Sequence, residues 1–200
     1  MPGVATHKID SGVKSVYLTF DDGPNSYCTP KVLELLRRYN AKATFFVIGE
    51  NVERNIEIFK QIINEQHSIG NHSHDHNYLA YFKGINWLKE WIEFGEQTII
   101  KQLGRPSVGF RPPAGIRTPE LRYLMYKRNE RPILWQHRFY DTAYKFTDEK
   151  WKKKFTRIRT GDIILLHDTH EQPGEFLNSL ENFIRELVNE GYQLCAIPYK

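Results

Sequence analysis

At 200 residues and 23.7 kDa the chain has the size of one ordinary domain, long enough to bury roughly 70% of its unfolded surface without disulfides or a structural metal. Hydrophobic residues at 40%, charged residues at 26% and aromatics at 14% exclude a disordered, collagenous or coiled-coil chain, and no apolar run approaches the roughly 18 to 20 residues of a membrane span. A net charge of +4 argues against a nucleic-acid partner, because the only dense basic run, Lys152 to Lys154 beside Trp151, lacks interleaved aromatics and reads as a solvated helix face.

Short β-rich runs alternate with amphipathic helices, and no linker divides residues 1–200, so one domain is expected, with its core at about 14–198. A first buried strand is predicted at 16–20. A helix follows, with Thr29 as N-cap, Pro30 in its first turn and an apolar face of Val32, Leu33, Leu35, Leu36 and Tyr39. The second strand is 43–48 and the next helix 54–65, with Ile56, Phe59, Ile62 and Ile63 at helical spacing; a short strand spans 67–70. Trp87, Trp91, Phe94 and Ile99 stripe a helix that Gly104 ends. Strand four is 108–111, Thr118 and Pro119 start another helix, strand five is 133–135, and a helix near 148–158 leads to strand six at 162–166. Phe176, Leu180, Phe183 and Leu187 line a last helix closed by Gly191, before strand seven at 192–197.

Strands alternating with helices imply an α/β fold with a mostly parallel sheet, either open and doubly wound or closed as a (β/α) barrel. The polar residues favour a barrel of about seven parallel strands. Asp21 and Asp22 follow strand one, His72 to His76 strand three, Asp141 strand five and His167 strand six, while Arg111 ends strand four. A barrel gathers many strand ends around one axis, whereas an open sheet binds at one switch point. Cys28 and Cys195 are far apart and read as reduced thiols. Met1 to Ser15 has no signal-peptide core, so a cytoplasmic chain is expected, or a secreted or periplasmic one if a leader has been removed.

Of eight histidines, His67, His72, His74 and His76 fall within ten positions, where an even spread would put fewer than one. His72 and His76, four apart, share a face if the segment is a helical turn, and with an aspartate they make an open metal site of three protein ligands. His167 at a strand exit suits a general acid, with a buried structural histidine as the alternative. Arg111 with Pro112, Pro113, Ala114 and Gly115 joins a permanent cation to a stiff backbone; the alternative there is a proline-stiffened loop with a surface arginine.

These residues resemble the NodB-type polysaccharide deacetylases, carbohydrate esterase family 4, across 16–197. The signatures occur in order as Thr19-Phe20-Asp21-Asp22-Gly23-Pro24, His72-Ser73-His74-Asp75-His76, Arg111-Pro112-Pro113-Ala114-Gly115 and Leu165-Leu166-His167. Asn25, Cys28, Thr29 and Pro30 resemble the chitooligosaccharide deacetylase branch. The resemblance implies a distorted barrel in which Asp22, His72 and His76 bind a divalent metal, Zn²⁺ first, with Co²⁺ or Ni²⁺ as alternatives. It makes Asp21 the general base, Arg111 its partner, His167 the general acid and Asp141 the residue that orients His167. Pro113, Ala114, Leu165 and Trp135 are implied to line the substrate groove, with Leu165 against the acetyl methyl and a backbone N–H near Ala114 at the oxyanion.

The implied reaction is N-deacetylation of an N-acetylglucosamine-containing glycan by a monomer with no membrane span. Two alternatives stand beside it: a carbohydrate-binding pseudoenzyme, and a deacetylase of O-acetyl or other amide substrates. The chain departs from the family's pattern at Ala114, where an aromatic is frequent, at Thr142 after Asp141, where tryptophan is usual, and at His137 and Arg138, where polar or acidic residues are common.

Overall fold

The computed structural model describes residues 5–143 and 145–199. β1 (Ser15–Asp21) is buried at every position, and its two faces separate two apolar regions. Val16, Leu18 and Phe20 join the large core beneath the helices, whereas Tyr17 joins Phe46, Val108, Ile133, Ile163 and Ile197 in a smaller inner cluster. β2 (Thr44–Val47) runs parallel to β1 on one flank, followed by β3 (Ser68–Asn71); β5 (Ile163–His167) lies on the other flank and carries β4 (His137–Arg138) outside it. The register sets Asp21 level with Phe46 and His167, so the polar ends of the strands meet on one side of the sheet.

The barrel closes irregularly. Segments 108–111 and 133–135, expected as full strands, form only isolated bridges, Asn71 with Phe110 and Thr6 with Ile133. Pro112, Pro113 and Pro132 have no N–H to give, and Gly109 sits at φ 143°, so regular ladders cannot propagate there. Backbone bonds from Val108 to Ile69, Arg111 to Asn71, Ile133 to Phe110 and Gln136 to Ile163 still link β3 round to β5. The last strand is likewise short: β6 (Gln193–Leu194) pairs only with Ser15 and Val16, wedged on the flank that β2 takes further along. The fold is thus an α/β fold with a parallel sheet bent into a distorted barrel.

The helices follow their apolar faces. α1 (Thr29–Arg38) buries Val32, Leu33, Leu35 and Leu36. Its cap is Cys28, not Thr29, because the Thr29 hydroxyl is engaged elsewhere, accepting from the Asn25 N–H and donating to Asp168. The helix expected at 54–65 is two, α2 (Gly49–Arg54) and α3 (Ile56–Asn64), broken at Asn55, whose side chain donates to the carbonyls of Pro24 and Asn51. α4 (Ile85–Leu103) ends at Gly104 in the left-handed conformation, and Thr118 caps α5 (Pro119–Lys127) by accepting the Leu121 N–H. α6 (Asp148–Phe155) and α7 (Gly174–Asn189) complete the outer layer. No helix among the described residues is long and apolar enough to cross a membrane.

Candidate active site

β1 delivers two carboxylates to one end of the barrel. Asp21, its last residue, is buried and shares the inner face with Thr19 through their common partner Arg111. Asp22 leaves the strand at φ 74°, a conformation costing a non-glycine residue roughly 1–3 kcal/mol; Asn51 Nδ2 pins its carbonyl at 2.7 Å. After β3 the chain kinks similarly, with Ser73 at φ 74° and His76 at φ 56°. The N–H groups of Gly49 and Glu50, at the start of α2, donate to the Ser73 and His74 carbonyls at 3.0 and 2.9 Å. The expected helical turn is therefore absent: Ser73 and His76 leave the right-handed region, and α2 occupies the carbonyls between them. A kinked loop, not helical spacing, brings the His72 and His76 rings to 5.0 Å.

Asp22 Oδ1 lies 3.4 Å from Nε2 of His72 and 3.4 Å from Nε2 of His76. The three donor atoms fall within 4.8 Å of one another. This Oδ1 is buried with no hydrogen-bond partner, a costly state that a cation between the donors relieves. His72 Nδ1 stands 2.7 Å from the Arg111 carbonyl, which only accepts, so Nδ1 carries the proton and Nε2 presents its lone pair inward. Burial, then the charge of His72, holds the His76 pKa below its usual value and favours the neutral ring. For Asp22, burial acts upward, but the adjacent His72, with His167 and His76, brings its pKa down to about 2. One carboxylate and two imidazoles fit a divalent transition ion.

Arg111 is the largest fully buried side chain among the described residues. Its Nη1 donates to Asp21 Oδ1 at 2.6 Å and Thr19 Oγ1 at 2.7 Å, Nε to the Ile133 carbonyl at 3.1 Å, and Nη2 to the Leu134 carbonyl at 3.3 Å. Burial pulls its pKa down and Asp21 opposes that pull. The guanidinium thus fixes one oxygen of Asp21, and the other lies 3.7 Å from His72 Nε2, on the metal side.

His167 closes β5. Its Nε2 is 4.0 Å from Asp22 Oδ2, its Nδ1 2.9 Å from Asp141 Oδ1, and its backbone N–H donates to Asp141 Oδ2 at 2.8 Å. Burial lowers its pKa, but the hydrogen bond and charge of Asp141, with Asp21 and Asp22, more than reverse this and raise it to about 9. Burial raises the pKa of Asp141 in turn, while its bonds to His167 and His170 carry it down to about 2. His170, given no role by the sequence, is the second imidazole on Asp141, at 3.3 Å, with its ring 4.0 Å from Phe176. Its only sequence signal was a place three residues after His167.

The expected groove residues gather at this end. Trp135 packs over Gly115, where an added Cβ would come 2.8 Å from the indole. Ala114 is exposed at φ 53°, the buried Pro113 carbonyl accepts from the Tyr81 hydroxyl, and Leu165 sits two residues before His167, level with Thr19 and Arg138. Four histidines stand apart: His7 lies with Nδ1 3.1 Å from the Trp135 carbonyl, His67 accepts the Ala43 N–H, His74 packs 4.1 Å from Phe94, and His137 pairs with Asp162 at 2.8 Å.

Residues 8–130 match the family described as Polysaccharide deacetylase, and the chain belongs to that family. A peptidoglycan-N-acetylglucosamine deacetylase of Bacillus cereus is 33% identical over 197 residues, 98% of this chain and 92% of the relative. A chitooligosaccharide deacetylase of Bradyrhizobium sp. is 34% identical over 200 residues, 94% of this chain and 91% of the relative. Among solved structures, a peptidoglycan N-acetylglucosamine deacetylase in complex with 4-naphthalen-1-yl-N-oxidanyl-benzamide superposes with a TM-score of 0.87 at 29% identity, covering 98% of this chain and 92% of that one. The resemblance read from the four motifs is borne out.

Proposed function

We propose that the protein is a divalent-metal-dependent N-deacetylase that hydrolyses the acetamido group of N-acetylglucosamine units in an oligo- or polysaccharide of chitooligosaccharide or peptidoglycan type, releasing acetate. The observation that carries this reading is the unpartnered Asp22 Oδ1 between two inward Nε2 atoms, flanked by an arginine-held carboxylate and an aspartate-held imidazole. Asp22, His72 and His76 would hold the ion, for which Zn²⁺ is our choice. When bound, it supplies a Lewis acid that makes water nucleophilic near neutral pH and polarises the amide carbonyl.

The chain's own groups divide the proton transfers. Asp21 receives the attacking water's proton on Oδ2, because Oδ1 is occupied by Arg111. His167 delivers a proton from Nε2 to the departing amine, while Asp141 fixes Nδ1 and thereby which nitrogen faces the substrate. Each transfer is worth about 10²- to 10⁴-fold in rate. Backbone of the loop at 111–115 meets the developing oxyanion, and Leu165 and Trp135 bound the acetyl and sugar positions.

The test is acetate release from chitotetraose and peptidoglycan fragments with added Zn²⁺ or Co²⁺, wild type beside Asp21→Asn. Wild type should release acetate and the variant should lose at least about 100-fold. Equal release by both removes Asp21 as base, and release by neither from any glycan leaves a binding module in place of an enzyme.

A further inference from the structure

Among the described residues, two cations near the mouth of the barrel have no carboxylate to match them. Arg138, the second residue of β4, is half-buried and level with Leu165. Its guanidinium lies 5.7 Å from the Trp135 ring and 4.7 Å from the Tyr140 ring. Its Nε is buried without a hydrogen-bond partner, and among the described residues it forms no ion pair. Lys154 of α6 stands behind it, donating to the Arg138 carbonyl at 2.7 Å with its ammonium 5.5 Å from the same Tyr140 ring. Lys152 and Lys153 reach Asp148 and Glu149 of their own helix at 3.9 and 2.7 Å, as a solvated face would, whereas Lys154 has no acidic partner among the described residues. Two uncompensated cations therefore converge on Tyr140, which is 47% exposed and adjoins Asp141.

The position is at the substrate's door. Across the mouth, the Tyr78 ring lies 5.0 Å from His76. Arg138 is in register with Leu165, two residues before His167, and Tyr140 precedes Asp141, the partner of His167, so the arginine stands on the rim beside these groups. A planar guanidinium with free donors matches a carboxylate in a two-pronged hydrogen bond, and partial burial between aromatic rings limits competition from water. A sugar hydroxyl offers no charge and gains less.

We propose that Arg138, backed by Lys154, is a specificity-determining residue that recognises a carboxylate on the glycan, making acidic N-acetylated oligosaccharides the preferred substrates. This rests on the deacetylase reading above. The carboxylate has two chemical sources, the lactyl ether of a muramyl unit or the acid of a uronic sugar.

The full chain with added Zn²⁺ would be given three oligosaccharides of equal length: chitotetraose, a peptide-free N-acetylglucosamine–muramyl tetramer, and an N-acetylglucosamine–glucuronic acid tetramer. Wild type should favour at least one acidic glycan over chitotetraose by about 10-fold or more in kcat/KM, and the arm that responds names the source. Arg138→Gln should bring that ratio to within about twofold, with Arg138→Lys between. Methyl esterification of the acidic glycan, which leaves the protein untouched, should abolish the preference in wild type. A wild-type ratio near one, or a ratio unchanged by Arg138→Gln or by esterification, overturns the proposal. Calorimetric affinities of the same glycans for Asp21→Asn protein, with and without Arg138→Gln, separate the two readings. If no glycan yields acetate, the deacetylase reading fails, and the affinity ratios alone decide the role of Arg138.

Discussion

Asp168 follows His167 in the chain and is fully buried. Thr29 donates to its Oδ2, Oδ1 has no partner, and Gly23 approaches so closely that a Cβ there would come within 2.5 Å of both carboxylate oxygens. Burial, opposed by the Thr29 bond and assisted by the charge of Asp22, pushes its pKa from 3.8 up to about 7. The native state therefore holds this proton more tightly than the unfolded chain does. Its stabilising contribution is complete below the unfolded value and is lost as pH rises through about 7, a swing of up to about 4 kcal/mol. Asp168→Asn removes the charge and keeps an acceptor for Thr29. In urea unfolding with chelator present, the variant should gain on wild type by about 2–4 kcal/mol between pH 4.5 and pH 8. A stability difference that is flat across that range refutes the reasoning.

Gly23→Ala should cost about 1–3 kcal/mol by overpacking against the same carboxylate, and combining it with Asp168→Ala should recover most of the loss, read as a coupling energy in a double-mutant cycle. Wild type should bind about one Zn²⁺ per chain in a calorimetric titration and His72→Ala should lose that heat. Arg111→Gln strands the buried Asp21 carboxylate and should lower stability by about 3–5 kcal/mol in denaturant unfolding, with acetate release lost. His67, whose pKa is lowered to about 4 by burial and by Lys42, contributes stability that is present above 6.5 and lost as pH falls toward 4. His67→Gln should make that acid loss shallower, by up to about 3 kcal/mol on unfolding curves.

Residues whose chemistry is local were legible in the sequence. Paired aspartates after a buried strand, histidines at four-residue spacing and a histidine at a strand exit marked a candidate cluster whose individual roles came from the family resemblance, and the structure brings these residues together. The reason offered for His72 and His76 was not the operative one. Helical spacing and a kinked loop both converge two rings, and only the φ values of Ser73 and His76 distinguish them. The irregular strands at 108–111 and 133–135 were hidden because apolar β-branched runs look alike whether they pair along a ladder or at one bridge; the prolines that interrupt them were visible but gave no register. His170 was missed because nothing local says that Asp141 has room for two imidazoles. The burial of Arg111 was also out of reach, since its acceptors at Thr19, Asp21, Ile133 and Leu134 come from distant parts of the chain.

Arg111 serves the site with two chemically separate parts of itself. The guanidinium grips Asp21, and the main-chain carbonyl sets the tautomer of His72. Substitution can erase the first and leaves the second in every variant, since all residues carry a carbonyl. The hydrogen bond that orients His72 therefore does not depend on the side chain at 111, whereas the placing of Asp21, and the stability that its pairing supplies, does. A single codon change here thus removes the partner of a buried carboxylate and leaves the main-chain contact that orients a neighbouring imidazole, so the two halves of the site are held by separable parts of one residue.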